Sequence, residues 1–222
     1  MPNNFVIFKP KDVVAGYFYW VDQVDYHIFF TVADCTGHGV PGAIISVICN
    51  NSLNRSVNEF GLVKPADILD KTRELVISEF SKSEQLVRDG MDIALCMLDT
   101  QNKGQLHFSG ANNPIWIKRA EEIVEIRGDR QPVGNYENQH PFTNHTVSLT
   151  PGDTIYLFSD GFADQFGGAK GKKFKASQFK SLCIETASNE MDEQGKKIDQ
   201  YFMDWKGEYE QIDDVCVIGV QI

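Results

Sequence analysis

Apolar residues along this chain fall into two textures. Phe5–Phe8, Val13–Val21 and Tyr26–Ala33 are short runs rich in β-branched and aromatic side chains, and they predict strands. After Gly37-His38-Gly39 the spacing changes: Pro41 stands where a first helical turn tolerates proline, and Ile44, Val47, Ile48, Leu53 and Val57 recur at helical intervals. A second helix is expected from Pro65 to Phe80, with Ile68, Leu69, Thr72, Leu75, Val76 and Phe80 along one face. Strands are then expected at Met91–Leu98, Gln105–Ser109, Ile115–Lys118, Ile123–Ile126, Thr143–Leu149 and Thr154–Phe158, each bounded by Gly, Asn, Pro or Asp. Two helices, Ala176–Thr186 and Asp192–Asp204, and a β-branched strand, Val215–Ile222, close the pattern.

Short strands with close turns argue for antiparallel meanders and against βαβ crossovers. Helices cluster in two places around a strand-rich centre. The expected fold class is therefore α+β, two packed antiparallel sheets flanked by helices, an α-β-β-α sandwich. No internal repeat or low-complexity linker divides the sequence, so residues 1–222 are expected to form a single domain. A strand so close to Met1 suggests a piece excised from a longer protein with an N-terminal sensor or regulatory region.

A hydrophobic content of 42% over 222 residues supplies a sizeable core and excludes a disordered chain. No apolar run reaches the ~18 residues of a membrane span, and no signal peptide is visible. The cysteines, at 35, 49, 96, 183 and 216, are widely spaced and form no C-x-x-C pair. A disulfide framework or structural zinc site is not expected, and a reducing, cytoplasmic compartment is. A net charge of −10 opposes nucleic acid. The one basic cluster, Lys170, Lys172, Lys173 and Lys175, reads as a solvated loop. The acidic balance has a further use, since carboxylates can hold divalent cations.

Three carboxylate-bearing turns lie at strand boundaries: Val32-Ala33-Asp34-Cys35-Thr36-Gly37, Leu157-Phe158-Ser159-Asp160-Gly161 and Gln211-Ile212-Asp213-Asp214-Val215. Each alone is ordinary turn chemistry. Together they could converge, and acids drawn together repel unless a cation lies between them. Oxygen donors without a His/Cys cluster suit Mg²⁺ or Mn²⁺.

Read in order, Gly16-Tyr17-Phe18-Tyr19-Trp20, Ala33-Asp34-Cys35-Thr36-Gly37-His38-Gly39, Ser159-Asp160-Gly161 and Asp213-Asp214-Val215 resemble the motif series of bacterial protein phosphatase 2C-type enzymes. The branch is that of stage II sporulation protein E and its sigma-factor-regulating relatives. Gly90-Met91-Asp92, Gly110-Ala111-Asn112-Asn113-Pro114 and Gln131-Pro132-Val133-Gly134 extend the likeness over most of the chain. The resemblance implies a serine/threonine phosphatase with two Mn²⁺ or Mg²⁺ ions. Asp34 matches the carboxylate bridging both ions, Cys35 would give its backbone carbonyl, and Asp160 and Asp213 match the remaining ligands of the first ion. Asp214 is a neighbour, and Asp89 or Asp92 either takes a turn or supporting role, the stronger expectation, or approaches an additional ion. Water activated by the ions would attack phosphorus directly, with no thiol nucleophile, because an acid beside Cys35 raises its pKa. His38 is a candidate general acid, although it stands four residues after Asp34 where eukaryotic relatives place a histidine two residues after.

One position departs from the pattern. Where this branch shows Gly-Asp-Phe, the chain has Gly16-Tyr17-Phe18, which removes a carboxylate from the second ion's surroundings. A weakened enzyme, an impaired pseudophosphatase that binds a partner, and an engineered substitution all fit. Another two-metal phosphohydrolase or nuclease fits the acids but not the net charge. The implied partners are a phosphoprotein substrate of the anti-sigma-factor-antagonist kind and a regulatory or dimerising domain, with no nucleic acid.

Overall fold

A computed structural model describes residues 3–37, 39–81, 89–102 and 104–222. In chain order the elements are β1 (Asn4–Lys9), β2 (Tyr17–Val24), β3 (His27–Cys35), α1 (Gly39–Asn58), α2 (Pro65–Phe80), β4 (Gly90–Asp99), β5 (Gln105–Ala111), β6 (Ile115–Arg119) and β7 (Glu122–Ile126). There follow β8 (Val133–Gly134), β9 (His145–Ser148), β10 (Thr154–Phe158), α3 (Gly161–Asp164), β11 (Phe166–Gly167), β12 (Lys172–Lys173), α4 (Ala176–Thr186), α5 (Met191–Lys206) and β13 (Val215–Gln221). The class is α+β, and every pair of strands is antiparallel.

The chain forms two compact units. One comprises the segment through Val13, Ile115–Ile126 and Thr150–Ile222. Its sheet runs β1-β13-β10-β6-β7, and the small hairpin β11–β12 stands apart from it. The core joins Phe5, Trp116, Tyr156 and Val217 of the strands to Phe162, Phe179, Ile198 and Phe202 of the helices. Aromatic rings dominate there: Phe162 stacks on Phe179 at 4.2 Å between centroids, and Trp116 lies 4.1 Å from Phe158. Just before β10, the central strand, Asp153 accepts hydrogen bonds from Nε and Nη2 of Arg119.

The other unit is Val14–Pro114 with Arg127–Leu149. Its sheet runs β2-β3-β4-β5-β9, with β8 joined to the start of β4. Here α1 and α2 cover a core of Phe29, Ile93, Leu95, Leu53 and Leu69. Ser56 and Thr72, both buried, share a hydrogen bond of 3.0 Å that joins the two helices. Arg73 fastens α2 to the loop 127–144 through Gln131 Oε1 and the His140 carbonyl.

Two sequence expectations shift. The run Val13–Val21 yields a strand only from Tyr17, and Val13 is fully exposed. The Lys11 amide bonds Asp214 at 2.6 Å instead of entering a ladder, so the chain turns before β2 begins. On α1 the buried stripe is Ile45, Cys49, Leu53 and Val57, a four-residue step, which leaves Ile44 and Val47 exposed. Among the described residues no helix is long and apolar enough to cross a membrane.

Candidate metal centre

Asp34 stands one residue from the end of β3, the second strand of its sheet. Strand register puts Tyr17 of β2 opposite it on one side and Asp92 of β4 opposite it on the other. The Tyr17 hydroxyl donates to Asp34 Oδ2 at 2.5 Å, and Tyr17 itself is buried. The Asn112 side chain donates from Nδ2 to Asp92 Oδ1 at 2.7 Å. These side chains form a short polar row across three adjacent strands. Asp89 lies just ahead of β4, its carbonyl beside Gly134 of β8.

Beyond Asp34 the chain leaves the sheet under tight control. The Cys35 amide donates to the Gly16 carbonyl, and the Thr36 amide donates to the Gly90 carbonyl. A Cβ on Gly16 would lie 2.4 Å from the Gly37 carbonyl oxygen, as would one on Gly42. Only glycines let the start of β2, the turn and the first turn of α1 approach so closely. The Cys35 thiol is buried. Its hydrogen bond with Cys49, then burial, then the charges of Cys49, Asp34 and Asp92 push its pKa well up. A neutral thiol is a poor nucleophile. His38 lies outside the described residues.

Asp160 and Asp213 belong to the other unit. Asp160 follows β10 and leads into α3, while Asp213 precedes β13, the strand paired with β10. Their two turns touch: a Cβ on Gly161 would lie 2.2 Å from the Asp214 carbonyl oxygen and 3.3 Å from Asp213 Cβ. Ser159, fully buried, donates from Oγ to the Asp214 carbonyl at 3.1 Å and accepts from the Cys216 amide at 2.9 Å. The Asp214 amide donates to Asp213 Oδ1 at 2.8 Å, while the buried Asp214 carboxylate takes the Lys11 amide. Asp214 thus organises the turn.

Gln165 is a residue that motif reading missed. It is fully buried just beyond α3. Its Nε2 donates to the Glu210 carbonyl at 2.8 Å, and its Oε1 accepts from the Ile212 amide at 3.2 Å. One amide therefore ties the segment after Asp160 to the loop before Asp213. The available signal was an uncharged polar residue between Phe162 and Phe166.

The donors are carboxylate and carbonyl oxygens, which suit a hard divalent cation in kind. Among the described residues, however, no group of three or more His, Cys, Asp or Glu side chains is arranged to hold an ion. The Tyr17 hydroxyl donates to the very carboxylate that the motif resemblance assigns a bridging role.

The structure is similar to many solved chains, among them the SiaA PP2C domain of Pseudomonas aeruginosa. That match has a TM-score of 0.89 and 31% identity, covering 99% of this chain and 86% of that one. The PP2C phosphatase domain with a regulatory-domain fragment of SpoIIE from Bacillus subtilis gives a TM-score of 0.80 and 16% identity, covering 100% of this chain and 63% of that one. The catalytic domain of the serine/threonine phosphatase PstP, in complex with two manganese ions, gives 0.70 and 13%, covering 98% and 96%. No curated protein matches the sequence. The family model for stage II sporulation protein E matches residues 25–222, nearly the whole chain. The chain belongs to the stage II sporulation protein E (SpoIIE) family of PP2C-type phosphatase domains.

Proposed function

We propose that the chain is a Mn²⁺- or Mg²⁺-dependent serine/threonine protein phosphatase domain, acting on phosphoserine or phosphothreonine of a regulatory protein. Tyr17 weakens the second of its two cation positions. The observation that carries this reading is the placement of Asp34, Asp160 and Asp213 at strand ends in a chain of this family. Rigid strand ends hold side chains accurately, as chemistry on a phosphate requires. The manganese-bound relative supports the choice of metal.

The Asp34, Asp160 and Asp213 carboxylates and the Cys35 carbonyl would hold the ion. When bound, the ion supplies Lewis acidity, making water nucleophilic near neutral pH and offsetting phosphoryl charge. The chain's own part is orientation. β3 and the glycine-packed turn after it fix Asp34, with Tyr17 fixing its Oδ2. Ser159, Asp214 and Gln165 fix the two turns that carry Asp160 and Asp213. Without metal the buried Cys35 thiol is held well above its usual pKa, which makes it a poor nucleophile. The expected substrate is a phosphoprotein of the anti-sigma-factor-antagonist kind. Five free, buried cysteines support a cytoplasmic setting.

The test is hydrolysis of an aryl phosphate with Mn²⁺ by the wild-type chain and by Asp160→Asn. Turnover that needs Mn²⁺ and disappears in the variant, at unchanged melting temperature, is expected. Turnover indifferent to both changes refutes the reading. The Tyr17–Asp34 bond favours one alternative, a pseudophosphatase that binds a partner without turnover. Silence in the same assay with a phosphoprotein partner still captured would establish it.

A further inference from the structure

The hairpin that follows Asp160 has a chemistry unlike the rest of this acidic chain. Between α3 and α4 lie β11, β12 and four exposed lysines, Lys170, Lys172, Lys173 and Lys175. Lys173 pairs with Asp164 at 2.7 Å. Lys170, Lys172 and Lys175 make no ion pair with a described residue, and neither do Glu208 and Glu210 of the adjoining loop.

A solvated loop need not be built rigidly, yet this one is. Phe174 is buried among Phe162, Tyr201 and Trp205, with ring centroids 5.2–5.8 Å away. The Gly168 amide donates to the Trp205 carbonyl at 2.8 Å, and a Cβ on Gly167 would collide with that same oxygen. The Phe174 amide donates to the Gln165 carbonyl at 2.9 Å, and the Lys175 amide to the Ala163 carbonyl at 2.7 Å. Lys175 is held at φ 78°, ψ 144°, a conformation that residues other than glycine rarely adopt and that persists where the surroundings enforce it. Through the buried Gln165 side chain the base of the hairpin is tied to the loop preceding Asp213. Three ammonium groups without an ion-pair partner among the described residues are thus displayed on a fixed platform that shares its anchor with the Asp160 and Asp213 turns.

We propose that this hairpin is the docking element for the polypeptide carrying the phosphate, and that it selects acidic sequence: phosphoserine or phosphothreonine flanked by aspartate and glutamate. The substrate role rests on the phosphatase reading above. A net charge of −10 repels an acidic polypeptide at long range, so a local patch of opposite sign is what permits its approach. Prior rigidity lowers the ordering cost of docking.

The test uses two phosphoserine peptides of equal length, one flanked by Asp/Glu and one by Ala/Gln, together with an aryl phosphate that cannot reach the hairpin. Each is given to the wild-type chain and to Lys170→Glu/Lys172→Glu/Lys175→Glu, whose folding is checked by thermal unfolding. Wild type is expected to favour the acidic peptide in kcat/KM by about tenfold at low salt, chiefly through KM, and to lose the preference at high salt. The triple variant is expected to lose it at any salt while hydrolysing the aryl phosphate normally. Equal use of both peptides by wild type, or a variant that keeps the preference, overturns the proposal. Fluorescence anisotropy with the same labelled peptides separates the two readings: hairpin-dependent binding without hydrolysis refutes the phosphatase and upholds the docking site. Binding of a single-stranded oligonucleotide as tight as that of the acidic peptide overturns the docking proposal in favour of nucleic acid.

Discussion

In Tyr17→Phe the ring keeps its buried place on β2, while the hydroxyl that donates to Asp34 Oδ2 is lost. A hydrogen bond to a charged group contributes about 1.5–3 kcal/mol. Asp34 is only partly buried, so water can replace some of it and the lower figure applies. For a chain of this size each kcal/mol moves Tm by about 2–4 °C, so the metal-free variant should melt about 3–6 °C lower. Tyr17→Asp acts differently. Register places the new carboxylate opposite Asp34, where two acids repel without a cation and gain a shared one with it. Restoring such a partner changes metal affinity or activity by ~10–100-fold. Thermal unfolding with and without Mn²⁺, calorimetric metal titration and aryl phosphate turnover read all three forms. Tyr17→Asp should be less stable than wild type without metal, gain more from Mn²⁺, and turn over at least about tenfold faster. Tyr17→Phe should lose stability without reaching that turnover. Equal Mn²⁺ stoichiometry and rate in wild type and Tyr17→Asp would refute the view that Tyr17 limits the centre.

Gly161→Ala forces a Cβ against the Asp214 carbonyl, which a 2.2 Å approach does not allow, so the Asp213 turn must move. We expect Mn²⁺ affinity to fall at least about tenfold by titration while far-UV circular dichroism is retained; unchanged affinity would separate that turn from the centre. Burial alone would raise Asp153, but hydrogen bonds from Arg119 and Thr150 outweigh it and hold its carboxyl below the usual range. Its contribution is therefore complete above the unfolded value of about 3.9 and lost as pH falls through the lower folded one. Urea unfolding should show Asp153→Asn less stable than wild type at pH 7 by about 1–3 kcal/mol, and less sensitive to pH below about 4; parallel acid limbs would refute this.

Elements whose ends carry their own signals were legible in the sequence. Helix α2 runs from Pro65 to Phe80 as the periodicity predicts, α4 from Ala176 to Thr186, and β10 from Thr154 to Phe158. Short elements fixed by long-range bonds were not. The hairpin β11–β12 has two-residue strands, and its shape depends on Trp205 and Phe174, far apart in sequence. The spacing of Ile44, Val47, Ile48, Leu53 and Val57 marked α1 as a helix but not its buried stripe: Ile44 and Val47 are apolar yet exposed, and periodicity cannot rank apolar residues by depth. For the candidate centre, the order of Asp34, Asp160 and Asp213 along the chain was readable. Gln165 was not, and Asn112 stood in a quoted motif without its bond to Asp92 being readable, because both act through partners on other elements.

Tyr17 shows where sequence stops and geometry begins. Comparing motifs reveals a missing carboxylate and suggests only a loss. Register adds what stands in its place: the β2–β3 ladder pairs position 17 with position 34, so the phenol arrives on the same face as the carboxylate. A slip of one residue would turn Tyr17 to the opposite face and leave Asp34 without that donor. The phenol gives one proton's worth of hydrogen bonding where the motif resemblance led to the expectation of a second acid. It thereby steadies Asp34 without metal, and on the proposed reading it would compete with a second cation at the same oxygen. A tyrosine here is therefore more than an absent ligand, and a hydroxyl-free phenylalanine and a restored aspartate should differ in kind as well as degree.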